Sequence, residues 1–124
     1  KKLVKIKRGK SNAELNNILE ITKGAIQECG SENFSIKYLG KLLSENWINK
    51  KMIHKSVSNN KIDSIYDQIM DIGAYGGKLL GSGNGGFLMF LCPKNKFNKI
   101  EQIFKNKVIK NIKFDNKGSH IIYS

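Results

Sequence analysis

The sequence predicts an α+β, ferredoxin-like two-layer domain, with a mainly antiparallel sheet, helices on one face and an inserted helical segment. Three observations carry that expectation. The 124 residues are 40% hydrophobic and 26% charged, with a single proline, which suits one domain that buries its own core. Up to Gly73, apolar residues recur at helical spacing. Beyond it the period changes, and apolar runs joined by tight turns take over.

In chain order, Leu3-Val4-Lys5-Ile6-Lys7 alternates apolar and basic residues, the pattern of a short strand with one wet face. Gly9 to Asn12 read as a turn. Residues 1–13 therefore form a basic strand or linker, and Ser11-Asn12-Ala13 also matches what an expression vector leaves behind. The domain proper is residues 14–124. Leu15, Ile18, Leu19, Thr22, Ala25, Ile26 and Cys29 keep a helical period, and Gly30 ends that helix. Ser31 to Phe34 is a break. Leu39, Leu42, Leu43 and Trp47 mark a second helix to about Lys51, followed by a polar, irregular stretch from Met52 to Asn59. Asn60 is placed to cap a third helix, with Asp63 at its third position. Ile62, Ile65, Tyr66, Ile69 and Ile72 form its apolar stripe, and Gly73 closes it.

Gly76 to Leu80 then lead into Gly81-Ser82-Gly83-Asn84-Gly85-Gly86. Phe87 to Leu91 is apolar throughout, the pattern of a strand buried on both faces, and Pro93 stops it. Phe97, Ile100, Ile103 and Phe104 space a fourth helix. Val108 to Phe114 and His120 to Tyr123 read as two closing strands around the Asp115-Asn116-Lys117-Gly118 turn.

Composition removes several function classes. No apolar run nears the roughly 20 residues of a membrane helix, and no signal segment opens the chain. Cys29 and Cys92 stand far apart without a CxxC or a histidine neighbour, which disfavours metal or redox chemistry and fits the cytoplasm. The formal net charge of +12 invites a nucleic-acid partner. Yet every basic residue except Arg8 is lysine, spread along the chain outside the first ten residues. Phosphate clamps and groove readers lean on arginine, so the lysines read as solvated surface, compatible with a small anionic substrate.

Seven of the twelve glycines fall between Gly73 and Gly86. A hairpin needs only two turn residues, and each glycine adds unfolded-chain entropy. Gly81, Gly83, Gly85 and Gly86 thus point to a loop that wants bare backbone, as a phosphate or nucleotide lying against main-chain N–H groups does. The loop lacks the Gly-Lys-Ser/Thr ending of a Walker A motif, and a strand follows it instead of a helix. A long hairpin packed on another domain is the structural alternative.

The stretch Gly73-Ala74-Tyr75-Gly76-Gly77-Lys78-Leu79-Leu80-Gly81-Ser82-Gly83-Asn84-Gly85-Gly86-Phe87-Leu88 resembles the third conserved motif of the GHMP small-molecule kinases. It is most similar to the heptose 7-phosphate kinase branch, which reads G-A-x-G-G-K-L-L-G-A-G-G-G-G-F-L. The likeness runs in order from about Glu14 to Ser124. It includes Trp47 to Lys51, Ile62 to Tyr66, and Phe114 with Gly118-Ser119-His120-Ile121. The resemblance implies transfer of the ATP γ-phosphate, with Mg²⁺, to the anomeric hydroxyl of D-glycero-D-manno-heptose 7-phosphate, supplying nucleotide-activated heptose for surface polysaccharide. It also implies an N-terminal partner domain that carries a P-x-x-x-G-L-G-S-S motif and the catalytic aspartate. Neither is in this sequence, so no catalytic residue is assigned here and the chain alone is expected to be inactive. Ser82 replaces the usual alanine and Asn84 the usual glycine; asparagine tolerates positive φ best among side chains. The branch's R-x-A falls near Ser11-Asn12-Ala13, without its arginine.

Gly81 to Gly86 are accordingly the expected nucleotide-phosphate loop, and Lys78, Lys50 and Lys51 the candidate substrate-phosphate contacts. Lys78 reads equally as a solvent-facing charge, and for Lys50 and Lys51, just past Trp47, the solvent-facing reading is the better one. Asp63, Asp67 and Asp71 share one helix face, but a wet face answering the lysines explains them better than a metal site, and none is assigned. His54 and His120 are isolated and read as surface or structural residues. Trp47 reads as core. The competing functions are a basic ferredoxin-like RNA-binding module, which would need exposed aromatics on central strands, and a small-ligand regulatory domain that senses through the glycine loop.

Overall fold

The computed structural model describes residues 12–108 together with Ile112 and Gly118. The described elements are α1 (Asn12–Cys29), α2 (Ile36–Ile53), a 3₁₀ turn (Lys55–Val57), α3 (Asn60–Ile72), β1 (Gly76–Leu79), β2 (Leu88–Leu91), a second 3₁₀ turn (Lys94–Lys96), α4 (Phe97–Phe104) and a third 3₁₀ turn (Lys105–Lys107). The fold is α+β and mostly helical, with β1 and β2 antiparallel in the register Gly76↔Leu91 to Leu79↔Leu88. The strands expected at 3–7 and 120–123, and most of 108–114, lie outside the described residues, as does His120. The ferredoxin-like sheet order depends on them. No described helix is long and apolar enough to cross a membrane.

The helix boundaries follow their capping chemistry. Ser35 caps α2, its hydroxyl accepting from the Tyr38 amide at 3.2 Å. The α3 cap is Asn59, one residue earlier than expected: its side chain accepts from the amides of Lys61 and Ile62. Asp63 therefore sits beyond the capping-box position, and its carboxylate turns to Ser58 and Lys51. Gly73 ends α3 at φ 111°, and its amide donates to the Met70 carbonyl.

Two apolar clusters share α3. Trp47, Ile62, Tyr66 and Leu79 form one; Ile69, Ile72 and Ile100 form the other, and Phe90 packs against both. β2 is half-buried along its length, and Phe87 is 66% exposed. The expectation of burial on both faces was too strong. An unbroken apolar run shows that both faces are apolar, but cover depends on what packs there.

The closest approach in the fold joins α2 to β1. A Cβ on Gly76 would lie 1.8 Å from the Gly40 carbonyl oxygen, and one on Gly40 would lie 2.6 Å from the Tyr75 Cβ. A ring of hydrogen bonds closes beside it. The Gly77 amide donates to Ser44 Oγ (3.2 Å), and Tyr66 Oη donates to the Gly77 carbonyl (3.2 Å). With its only proton so used, Tyr66 accepts from Ser44 Oγ at 2.8 Å.

Gly76→Ala must push α2 off β1, and overpacking at backbone costs about 3 kcal/mol or more, a fall of roughly 10 °C in thermal midpoint for a domain of this size. Gly24→Ala is the control. Its Cβ would meet only Leu42 Cδ1, at 4.0 Å, so it should stabilise α1 by about 0.5–1 kcal/mol. Thermal unfolding of the two variants checks both signs.

Candidate functional site

The glycine loop leaves β1 at Leu80, whose amide donates to the Phe87 carbonyl at 2.9 Å. Four of the six residues that follow have clearly left-handed φ: Gly81 at 80°, Gly83 at 116°, Asn84 at 61° and Gly86 at 113°. A chain of L-residues with side chains would not follow this path without strain.

The loop is tied down on one side. Asn84 donates its amide to the Val57 carbonyl at 2.8 Å and accepts through Oδ1 from Asn59 Nδ2 at 3.0 Å. Asn59 is also the α3 cap, so one side chain joins the loop to the helix start. A Cβ on Gly83 would stand 2.9 Å from both Cα and O of Val57, whereas one on Gly81 or Gly85 would meet nothing within 4 Å. The glycines thus have separate reasons. Gly83 permits contact with the 3₁₀ turn, while Gly81 and Gly85 leave backbone open. The amides of Gly81, Ser82, Gly83, Gly85 and Gly86 donate to no acceptor among the described residues.

The three candidate lysines part company. Lys50, half-buried near the end of α2, donates to the Gly81 carbonyl. Lys78 on β1 donates to Asn46 Oδ1 at 2.6 Å. Its pKa lies below the ordinary lysine value, first because burial penalises the ammonium and second because Lys50 repels it. The structure thus brings Lys50 and Lys78 together at the root of the loop. Lys51 is held elsewhere, 3.1 Å from Asp63 and with its ammonium 5.6 Å from the centre of the Trp47 ring.

Trp47 is fully buried, as core. His54 caps the first 3₁₀ turn by accepting from the Ser56 amide. Asp67 and Asp71 are exposed, and no group of three His, Cys, Asp or Glu among the described residues could hold a metal ion. Asn46, Val57 and Asn59 were missed. Asn46 carried a signal, as a polar residue on an apolar stripe between Leu42 and Trp47. Val57 carried none, because its contribution is backbone.

The sequence profile described as GHMP kinases C terminal matches residues 24–110. A D-glycero-alpha-D-manno-heptose 7-phosphate kinase of Campylobacter jejuni is 40% identical over 70 residues, which is 56% of this chain and 21% of that protein. The crystal structure of L. major mevalonate kinase in complex with R-mevalonate superimposes with a TM-score of 0.64 at 25% identity, covering 77% of this chain and 28% of that one. The chain therefore spans between about a fifth and somewhat over a quarter of the length of these relatives.

Gly81→Ala and Gly83→Ala both place a side chain at positive φ, at about 1–2 kcal/mol of strain each. Their difference isolates the Val57 contact. Gly83→Ala should be the worse by about 1–3 kcal/mol and should strip hydrogen-exchange protection from the Asn84 amide, which Gly81→Ala spares. Asn84→Gly exchanges the bond from Asn59 for relief of strain, so its midpoint should barely move.

For Lys78, a ¹³Cε titration should give a midpoint below that of free lysine; coincidence with free lysine would remove the buried cation. Because the unfolded chain binds more protons between the lowered native value and 10.5, stability at this site rises with pH through that window and is lowest beneath it.

Proposed function

The chain belongs to the GHMP kinase family through its C-terminal domain, and from that premise we propose that it is the C-terminal part of an ATP-dependent kinase whose acceptor is the anomeric hydroxyl of D-glycero-D-manno-heptose 7-phosphate. Kinases of this family are phosphotransferases. The observation that carries the reading is the set of five loop amides without an acceptor, on a backbone whose left-handed turns are fixed to α3 through Asn84. Oriented N–H groups of this kind bind phosphate oxygens and stabilise the charge that develops on them.

In this reading Gly81 to Gly86 receive a nucleotide phosphate. Lys50, already against the Gly81 carbonyl, meets the acceptor's phosphate, and Lys78 raises the local positive potential behind it. Lys51 would have to release Asp63 to join them. The acceptor oxygen bonds to the γ-phosphorus as the bond to the β-γ bridging oxygen breaks and ADP leaves. The proton of the hydroxyl passes to a base on the remainder of the protein, the N-terminal kinase domain, which is also this chain's partner. Mg²⁺, when bound with the nucleotide, would neutralise phosphate charge; the described acidic residues form no cluster of three that could hold it. The heptose acceptor is favoured by the identity to the Campylobacter protein. A base-stacking RNA platform would need Phe90, which both core clusters occupy.

The test is a transplant. The chain alone should turn over no ATP with heptose 7-phosphate and Mg²⁺. Placed in the Campylobacter kinase over the matched segment, it should restore heptose-dependent ADP release to within about tenfold of the parent kcat/KM. In that chimera Lys50→Ala should raise KM for heptose 7-phosphate more than it lowers kcat. A folded chimera that prefers an unphosphorylated sugar would overturn the acceptor assignment.

A further inference from the structure

Helices α1 and α2 do not close completely on each other. A cleft of about 130 Å³ lies between them, walled by Ile21, Ala25, Leu39 and Leu42 and lined also by Asn46 and Lys78. It is partly open to solvent, and its volume is of the order of the roughly 150 Å³ of an enclosed apolar cavity that takes up benzene.

The cleft differs from a packing gap in its charge. Lys78 is half-buried, yet its partner is a neutral amide oxygen, Asn46 Oδ1 at 2.6 Å. None of the ion pairs among the described residues includes it. A desolvated ammonium is ordinarily paired with an anion. Asn46 is 9% exposed and spends only its oxygen on Lys78, so its Nδ2 hydrogens stay uncommitted among the described residues. The cleft thus presents two donors, and no carboxylate is among its lining residues. Its outer wall can also yield, because α1 buries none of its residues fully.

We propose that this cleft binds a small amphipathic carboxylate, with an apolar body about the size of a benzene ring. The carboxylate accepts from Lys78 Nζ and Asn46 Nδ2, and the body replaces water against Ile21, Ala25 and Leu42. The side walls are apolar except for Thr22, whose hydroxyl donates to the Ile18 carbonyl, so they offer few partners to the hydroxyls of a sugar. The cleft adjoins the root of the glycine loop through Lys78 but includes none of Gly81 to Gly86, and the proposal stands whether or not the kinase reading holds.

Benzoate is the probe, titrated into the full 124-residue chain and followed by amide NMR. Shifts should centre on α1 and α2 around Ala25 and Leu42, with a Kd of about 1 mM or tighter, as suits nine heavy atoms. Benzyl alcohol keeps the body without the charge, and acetate keeps the charge without the body. Each should bind about tenfold more weakly or worse. Lys78→Met should weaken benzoate by a similar factor and leave benzyl alcohol unchanged. Ala25→Phe fills the cleft from a helix-surface position, so it serves where Lys78→Met fails to fold, and it should remove binding while the circular dichroism is kept. The proposal falls if benzoate shifts gather on Gly81 to Gly86 instead, if Ala25→Phe binds benzoate unchanged, or if no shift appears by about 20 mM.

Discussion

Everything in this domain is arranged around one backbone contact, where the Gly40 carbonyl on α2 lies so close to Gly76 on β1 that no side chain fits between them. Two glycines face each other, so helix and strand approach more closely than ordinary residues allow. That depth brings Ser44 within reach of both the Gly77 amide and Tyr66 Oη, which closes the hydrogen-bonded ring across α2, α3 and β1. It also sets the height of the rest of α2. One turn on, Trp47 is fully buried against Ile62, Tyr66 and Leu79; near the helix end Lys50 reaches the Gly81 carbonyl. The core and the loop root are thus placed by the same helix, and a change in its depth moves both.

The loop gains its rigidity from a different quarter. Its ladder ends at the bond from Leu80 to Phe87, and a glycine-rich segment beyond a ladder would ordinarily be mobile. Here Asn84 spends its backbone on Val57 and its side chain on Asn59. The strain of a left-handed asparagine, about 1 kcal/mol, is offset by two hydrogen bonds of similar net worth. A glycine at position 84 would lose the side-chain bond. Asparagine at this position therefore exchanges freedom for anchoring, and the open amides around it inherit a fixed direction.

What could be read from the residues alone follows from which interactions are local. Helix periods, the Gly30 and Gly73 stops and the Pro93 break are near-neighbour effects, and the four helices lie on their stripes, although α1 takes in Asn12, expected in a turn, and α2 extends from Ile36 to Ile53, beyond the expected Leu39 to Lys51. The cap of α3 was misplaced by one residue because Asn59 and Asn60 are both good caps; which one turns its side chain inward depends on Asn84, distant in sequence. The glycine run was recognised, but all its members were given one reason. Gly83 has another, since its neighbour is Val57 backbone, and a backbone contact leaves no mark on residue type. Lys78 was legible as a cation near the loop, and Lys50 and Lys51 only as cations just past Trp47. That Lys50 and Lys78 converge, while Lys51 turns back to Asp63 and Trp47, is tertiary information.

The charge of the chain shows why position outweighs total. A net +12 spread along the chain, with most of the described lysines exposed, is screened within about 10 Å at ordinary ionic strength, and it says little about a partner. Lys78 is a single charge, but its surroundings reverse that arithmetic. Burial and the repulsion of Lys50 hold its pKa down, and its described partner is uncharged. The fold bears this cost permanently, although methionine would fill the same volume on β1 with no charge to desolvate. An anion beside the ammonium would favour its charged form and so raise its pKa again. The same reasoning separates Lys78 from Lys51, whose charge is matched by Asp63 and whose removal would leave that carboxylate with only Ser58.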